Sequence, residues 1–356
     1  MVDSQDVHQL EQYQVAAFYC FTALQEELIL SLLEALPNHA EEVQVRGTVL
    51  LAKEGINGTI CGPSNGVSSL LEVLNGALSS KILEVKFSST SKQAFRRFKV
   101  RRKCEIVTMG VTGIDPVKLA GAYVAPTHWN SLVADPETLV IDTRNEYEIS
   151  IGTFEGALNQ HIDTFRDFPV WVDQNLQQIV KEKKTRRIAM FCTGGIRCEK
   201  ATSYLLKAGF NEIHHLQGGI LKYLEEVPEE ESLWNGECFV FDKRVALNHK
   251  LLPGVHRLCH ACGMPLTPED RQNTSYVRGV QCLHCEDRYT DKDRERFAER
   301  QRQIDERMNK RRGAIQRLLT PDYCSTFNRQ LAITLALSAG PGGVDRLRAS
   351  LMDQTP

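Results

Sequence analysis

The sequence predicts an α/β protein built from several domains. Three observations support this prediction: the N-terminal part shows the pattern order β-α-β-β-α-β, the middle alternates strands with helices, and the C-terminal part carries two Cys-x-x-Cys pairs before a charged helical run. A chain of 356 residues is also longer than one ordinary hydrophobic core requires. We expect domains at residues 1–110, 127–228 and 229–356.

The first domain has the pattern of a split β-α-β sheet. Apolar runs predict strands, and Leu-rich patterns at helical spacing predict two helices. The strands are expected at 15–21, 43–52, 57–61 and 83–87, and the helices at 24–36 and 67–78. This order is typical of a ferredoxin-like α+β domain.

Composition and charge limit the classes of function. Hydrophobic residues make up 42% and charged residues 25%, as in a globular protein. The formal net charge of −2 provides no overall basic field, so a nucleic acid would need a local basic patch. Met1 to Gln14 is acidic without an apolar block, and no stretch of ~18 apolar residues occurs. We therefore expect a cytoplasmic protein with no membrane partner.

The central part predicts a parallel sheet with helices on its faces. Strand patterns at 139–142, 188–191 and 212–216 are each followed by a helical pattern. The segment 109–126, rich in Gly, Pro and Ala, is interpreted as the linker that precedes this domain.

A cysteine loop joins the second of these strands to its helix. The loop residues between Cys192 and Arg197 are Thr193, Gly194, Gly195 and Ile196. A tight glycine loop at a helix N-terminus points its N–H groups inward and favours a negative charge. We therefore expect a lowered pKa for Cys192, with Arg197 adding positive charge.

Three sequence blocks resemble rhodanese-type sulfurtransferases. The Cys192-x-x-Gly-x-Arg197 loop is similar to their active loop, residues 140–148 to their first strand and Asp-x-Arg motif, and residues 216–220 to their closing strand. The resemblance implies a rhodanese-like domain with Cys192 as a persulfide-forming catalytic residue. It also implies that Asp142 and Arg144 support the loop.

Two features of the loop refine this interpretation. The four residues between Cys192 and Arg197 make a loop one residue shorter than that of the related cysteine phosphatases, which fits sulfur better than phosphate. Cys198 has two interpretations: it resolves a persulfide as a disulfide, or, as we prefer, it packs against the sheet as a small apolar residue.

Two cysteine pairs predict a metal site near the C-terminus. Nineteen residues separate the two Cys-x-x-Cys pairs, a spacing typical of four-thiolate zinc sites. The expected ligands are Cys259, Cys262, Cys282 and Cys285. An iron–sulfur cluster uses the same ligands and stays open as an alternative.

Candidate RNA contacts lie in the first domain. The run 96–103 holds six cations, and strand alternation would turn Phe98 and Val100 inward. This strip would track phosphates, or it is an ordinary solvated face. A polar turn near residue 55 has the same two interpretations. The candidate RNA-binding residues are Lys53, Glu54, Asn57, Arg96, Arg97, Lys99 and Arg101.

Further sequence blocks lie at 53–59, 165–169 and 236–242. Together with the order of the domains, these blocks resemble the bacterial rhodanese-domain tRNA uridine hydroxylases over about residues 12–290. The resemblance implies hydroxylation of the wobble uridine to 5-hydroxyuridine, with Cys192 essential, tRNA as partner and molecular oxygen as co-substrate. No Gly-x-Gly-x-x-Gly motif for flavin or nicotinamide occurs. His161-x-Asp163 has the ligand types of an iron site, although we expect Asp163 to cap the turn that follows.

Two other functions compete with this one. The same loop suits a rhodanese-type sulfurtransferase or persulfide carrier, and a scaffold with an inactive loop is a third hypothesis. The first domain and the cysteine pairs favour the hydroxylase, because a minimal sulfur carrier needs neither. A protein that donates sulfur or electrons is a further expected partner.

Overall fold

The computed structural model describes residues 13–78 and 83–318. The acidic start of the chain and the segment after the charged helix lie outside these residues. The fold divides into two compact units between Arg257 and Leu258. Among the described helices, none is long and apolar enough to cross a membrane.

The N-terminal sheet has five strands in the order β4-β1-β3-β2-β5. Neighbours in the first four are antiparallel, and β5 runs parallel to β2. Together with two helices this confirms the predicted ferredoxin-like α+β fold. The elements are β1 (Tyr13–Phe21), α1 (Glu26–Glu42), β2 (Arg46–Ala52), β3 (Gly55–Gly62), α2 (Ser64–Gly76), β4 (Glu84–Thr90) and β5 (Phe98–Arg102).

Helical and strand periodicity explain the core of this sheet. Helix α1 buries Ile29, Leu32 and Leu36, which lie three and four residues apart and so share one face. These side chains pack with alternate residues of the strands, among them Ile56 and Ile60 of β3. The apolar pattern of the sequence therefore accounts for the packing of the helices on the sheet.

Strand β5 carries the basic run as the edge of the sheet. Phe98 and Val100 pack against the core, in agreement with the expected alternation. Arg101 is exposed, and Arg102 pairs with Glu26 of α1 at 2.9 Å. Cations on an edge strand also discourage unwanted pairing with a further strand.

The central sheet is fully parallel, in the order β6-β10-β9-β7. This confirms the predicted parallel α/β domain. The elements are β6 (Ala122–Val124), α3 (Pro126–Val133), β7 (Thr138–Asp142), α4 (Glu146–Ile149), β8 (Gly152–Phe154), α5 (Phe168–Trp171), α6 (Gln177–Lys183), β9 (Arg187–Phe191), α7 (Ile196–Lys207), β10 (Ile213–Leu216) and α8 (Gly219–Glu226).

One strand of this sheet lies in the segment interpreted as a linker. Strand β6 has three residues, and Tyr123 at its centre is exposed. So short a strand lacks the apolar run that sequence reasoning requires. The interpretation of 109–126 as wholly linker was therefore wrong at its end.

Further short strands follow in the same unit. Strand β11 (Trp234–Gly236) pairs with β8, and β12 (Cys238–Phe239) pairs with β13 (Ala246–Leu247). The division between the two compact units thus falls inside the range expected for the third domain.

A buried lysine joins the first two domains. Lys200 of α7 is 2% exposed, and its Nζ lies 2.9 Å from a Glu54 oxygen and 2.6 Å from a Glu105 oxygen. It also donates to the carbonyl of Val107 at 2.9 Å. Because a buried cation is costly without partners, these contacts fix α7 against the first domain.

The second unit combines a small cysteine core with a long charged helix. Strands β14 (Arg257–Leu258) and β15 (Pro265–Leu266) form a two-stranded sheet. Helix α9 (Asp291–Leu318) confirms the predicted charged helix. The first half of this helix packs against the cysteine core through Phe297, whose ring centroid lies 5.0 Å from that of Tyr289.

Candidate functional site

The candidate active site is the loop between β9 and α7. Cys192 follows the last residue of β9 and is 1% exposed. Gly195 is the N-cap of α7 at φ +98°, a conformation that favours glycine. Its N–H donates to Cys192 Sγ at 3.1 Å. The local sequence thus forms the inward-facing nest of N–H groups that the glycines predict.

A second glycine turn closes the loop from the other side. Gly219 lies at φ +66°, and a Cβ there would come within 2.4 Å of the Cys192 carbonyl oxygen. Ile220 N–H donates to that same oxygen at 3.0 Å, and Leu221 N–H donates to the Thr193 carbonyl at 3.1 Å. The turn therefore needs glycine because its backbone lies directly against the cysteine loop.

The environment of Cys192 favours its thiolate. Burial by itself would raise the pKa of the thiol. A hydrogen bond from the Cys198 thiol, the charge of Arg197 and the N–H groups of both residues outweigh burial and lower the pKa to about 6. At neutral pH the reactive, charged form of Cys192 therefore predominates.

Arg197 is held by a carboxylate that sequence reasoning did not single out. Its two terminal nitrogens lie 2.7 and 2.6 Å from the two carboxylate oxygens of Glu148, which is 0% exposed. A bidentate pair of this kind fixes the plane of the guanidinium. Glu148 belongs to the block at 140–148, but nothing in that block assigns it to Arg197.

Asp142 and Arg144 form a second buried ion pair beneath the loop. Arg144 Nη2 lies 2.6 Å from Asp142 Oδ2, and its Nε donates to Oδ1 at 2.9 Å. The same guanidinium donates to the carbonyl of Glu148 at 3.3 Å and reaches that of Gly152. The pair thus supports the segment that presents the Glu148 carboxylate.

The N-terminal domain also contributes to the site. Lys86 of β4 is 4% exposed, and its Nζ donates to the Gly194 carbonyl in the loop at 2.8 Å. Glu84 Oε1 lies 3.0 Å from the Lys86 Nζ and balances its charge. The Tyr19 hydroxyl lies 2.9 Å from Glu84 and 2.7 Å from Glu199 of α7. No sequence signal marks these residues, because they meet the loop only in the folded chain.

A cavity of about 300 Å³ opens over the loop at the junction of the two domains. It has both polar and aromatic walls, and its volume is at the lower end for small-molecule sites. Its walls include Tyr19, Asn57, Lys86, Cys192 and Phe241.

The candidate RNA-binding residues fall into separate groups. Glu54 is engaged inside the protein, where it accepts from Ile106 N–H at 2.6 Å and pairs with Lys200. Asn57 donates to the Ile106 carbonyl at 2.9 Å and lines the cavity. Lys53 is exposed. On the basic run, Arg96, Arg97 and Arg101 are exposed and Lys99 is half-buried.

Cys198 and Asp163 are two further residues that the sequence singles out near the loop. Cys198 is buried in the core beside the sheet, in agreement with the preferred interpretation, and its thiol also contacts Cys192. Its role as a resolving thiol stays a prediction. Asp163 is exposed and does not cap the following turn, an expectation that was wrong. Thr164 is the N-cap instead, and its N–H and hydroxyl both contact Asp167 at 3.1 Å.

The four cysteines of the second unit come together. Their sulfur atoms all lie within 4.8 Å of one another. Cys282 Sγ is 3.8 Å from the sulfurs of both Cys262 and Cys285. Thiolates about 2.3 Å from a zinc ion lie about 3.8 Å apart in a tetrahedron. The cluster can therefore hold a metal ion and is compatible with zinc.

Comparisons with known proteins agree with this architecture. A family model described as a UPF0176 acylphosphatase like domain matches residues 13–106, and one described as a Rhodanese-like domain matches 126–226. A third, described as a protein of unknown function (DUF3038), matches 288–353.

Curated relatives decide the family. A protein of Prochlorococcus marinus (strain MIT 9303) named tRNA uridine(34) hydroxylase is 62% identical over 293 residues, which cover 82% of this chain and 94% of the relative. This chain belongs to the tRNA uridine(34) hydroxylase family. Another member, from Parasynechococcus marenigrum (strain WH8102), is 60% identical over 304 residues, or 84% of this chain and 95% of its own length. The resemblance in the sequence blocks is thereby confirmed.

The lowered pKa of Cys192 predicts an unusual pH profile for its alkylation. Because the thiolate is the nucleophile, the rate of reaction with iodoacetamide should be half-maximal at about pH 6. Mass spectrometry of the Cys192 peptide across the pH range gives the midpoint, with the exposed Cys104 followed in the same digest. A midpoint near the ordinary thiol value of about 8.5 would contradict this description.

A substitution of Lys86 measures how much the N-terminal domain contributes to the pH midpoint for alkylation of Cys192. Lys86→Met removes the cation that contacts Gly194 and should raise the midpoint, by up to about one pH unit. Lys118→Met, at an exposed surface position, serves as the matched control and should not shift it.

Proposed function

We propose that this chain hydroxylates uridine 34 of tRNA to 5-hydroxyuridine and that the Cys192 thiolate is the essential reacting group. The observation that carries the proposal is a stabilised thiolate on the wall of a nucleoside-sized cavity, in a member of a family named for this reaction. The described cavity is lined mainly by the first two domains, which accounts for the presence of both. A tRNA substrate is consistent with a cytoplasmic location.

The chemistry of the proposed reaction defines what else is required. Insertion of one oxygen atom of O₂ at C5 of uracil, with the other released as water, consumes two electrons and two protons. A donor of two electrons is therefore part of the proposal, and a donor of sulfane sulfur is also required if Cys192 acts as a persulfide. Direct participation of a Cys192 persulfide is one route by which the loop would take part, because the nest favours an anionic sulfur.

The residues around the thiolate have distinct tasks in this proposal. Arg197 stabilises the negative sulfur, and Glu148 holds Arg197 in place. Lys86 fixes the carbonyl of Gly194 and brings a second cation to the cavity. Thr193, Gly195 and Ile196 complete the loop by their backbone geometry. Asp142 and Arg144 act only through the segment that they support.

We also propose that the exposed cations of the first domain contact the tRNA backbone. Arg96, Arg97 and Arg101 are exposed and Lys99 is partly so, as phosphate contacts require. Lys53 lies on the turn before β3, and Asn57 lies within β3, where it lines the cavity. Glu54 supports this turn through Lys200, so we do not propose it as a direct contact.

A rhodanese-type sulfurtransferase or persulfide carrier is the second candidate. The short loop and the lowered pKa of Cys192 favour it as much as they favour hydroxylation. Family membership and the walls that the N-terminal domain adds to the cavity make hydroxylation the preferred proposal.

The decisive test is the content of modified nucleosides in tRNA. Cells that lack the gene should contain no 5-hydroxyuridine or its derivatives by mass spectrometry, and the wild-type gene should restore them. Cys192→Ala should reduce restoration by at least ~100-fold, because the reacting group is lost. Cys104→Ala, at an exposed thiol, is the matched control and should restore them fully.

The result that contradicts the proposal is also specific. Full restoration by Cys192→Ala would exclude an essential thiolate. Unchanged tRNA nucleosides, together with rapid transfer of sulfur from thiosulfate to cyanide by the purified chain, would favour the sulfurtransferase instead.

We further propose that the four-cysteine cluster holds a structural zinc ion. The cysteines form the centre of the small core of the second unit, so metal binding and folding of that core should be linked.

Elemental analysis of the purified chain should give one zinc and no iron per molecule. Cys262→Ser should lower the zinc content and expose the second unit to proteolysis, whereas Cys238→Ser should not alter the zinc content. Iron with inorganic sulfide would contradict the zinc assignment.

A further inference from the structure

A short turn at residues 240–245 lies at the rim of the cavity and is fixed by several hydrogen bonds and a buried ion pair. Val240 N–H donates to the Val245 carbonyl at 2.8 Å. Asp242 and Arg244 form a buried ion pair at 2.6 Å, and Arg244 also donates to Ser88 of β4 at 2.7 Å. Val245 lies at φ +70°, a conformation that β-branched residues rarely adopt. Strain of this kind persists where a precise geometry serves binding.

The tip of this turn presents an exposed aromatic ring. The side chain of Phe241 is 62% exposed, yet its ring packs edge-on against Phe239 at 5.2 Å, and Phe239 is buried. Isolated exposed apolar residues are ordinary, so exposure alone indicates nothing. Phe241, however, lines the cavity that contains Cys192 and also the adjoining cavity. A rigid aromatic side chain therefore stands at the entrance to the candidate active site.

Two exposed cations, Lys243 and Arg96, lie near the same tip. The N–H of Lys243 donates to the Ala94 carbonyl at 3.1 Å, which places the turn beside the basic segment of the first domain. Burial, followed by the charges of Arg96 and Arg46, lowers the pKa of Lys243. The side chains of Lys243 and Arg96 are both exposed, so a ligand in solution can reach both. A phosphate group is the anion that such a pair of cations fits.

We infer that this turn binds the target nucleotide: Phe241 stacks on the uracil, while Lys243 and Arg96 hold the flanking phosphates. The inference rests on the proposed function and specifies how that substrate is recognised. A cavity of about 300 Å³ has room for a single nucleoside, so the base must leave its neighbours to enter. Aromatic stacking and backbone cations together are the usual means of holding single-stranded RNA.

Binding of an anticodon stem-loop RNA to the full chain tests the stacking role. With 2-aminopurine at position 34, fluorescence reports both affinity and the environment of the base. Phe241→Ala should weaken binding by about 5- to 150-fold, the usual effect of losing one stacked ring. Phe241→Trp should restore affinity and quench the fluorescence of the bound base. Leu30→Ala, at another exposed apolar residue, is the matched control and should bind normally.

The salt dependence of binding tests the cations. Each phosphate contact contributes about 0.7 to the slope of log affinity against log salt for single-stranded nucleic acid. Lys243→Ala and Arg96→Ala should each reduce the slope by about that amount. Lys118→Ala should leave it unchanged.

Each outcome bears on the inference separately from the proposed function. Normal RNA affinity in Phe241→Ala, or an unchanged slope in Lys243→Ala, would overturn it and assign the turn to a protein partner or to structure alone. Loss of affinity in Phe241→Ala that Phe241→Trp does not restore would also overturn the stacking role. Wild-type chain that binds the RNA as expected but yields no 5-hydroxyuridine would instead contradict the proposed function.

Discussion

The ion pair between Glu148 and Arg197 is the constraint on which the candidate site depends. A buried carboxylate and a buried guanidinium are each costly alone, so each requires the other. Their bidentate contact fixes the Arg197 charge beside Cys192, and the N–H groups at the start of α7 add to it. The result is a thiolate that is stable in spite of complete burial. The second ion pair, Asp142 with Arg144, matters because it holds the backbone of Glu148.

The same loop explains why the first two domains form one compact unit. Lys86 reaches from β4 to the Gly194 carbonyl, and a Cβ at Gly195 would come within 2.8 Å of the Tyr19 hydroxyl. Lys200 joins α7 to Glu54 and Glu105 on the other side of the junction. If the two domains separated, these contacts would break and the cavity would be lost. The acylphosphatase-like domain therefore supplies part of the candidate active site as well as a basic surface.

Short-range features of the site could be predicted from sequence, whereas long-range ones could not. The Cys192 loop and the four cysteines follow from spacing, because each chemistry requires neighbouring residues at set intervals. Glu148 lies 49 positions from Arg197 and Lys86 lies 108 positions from Gly194, so only the fold brings these partners together. Alternation placed Phe98 and Val100 inward correctly. It could not show that Glu54 turns inward to Lys200, since a polar turn residue ordinarily faces solvent.

Arg197→Lys tests the central claim most directly, because it keeps the charge and removes the bidentate geometry. The measurement is the pH midpoint for alkylation of Cys192 in the folded variant. The account predicts a rise from about 6 by at least about one unit, because a lysine cannot hold the same position between Glu148 and the thiolate. An unchanged midpoint would show that the helix N-terminus alone stabilises the thiolate and that the Glu148–Arg197 pair is not the controlling interaction.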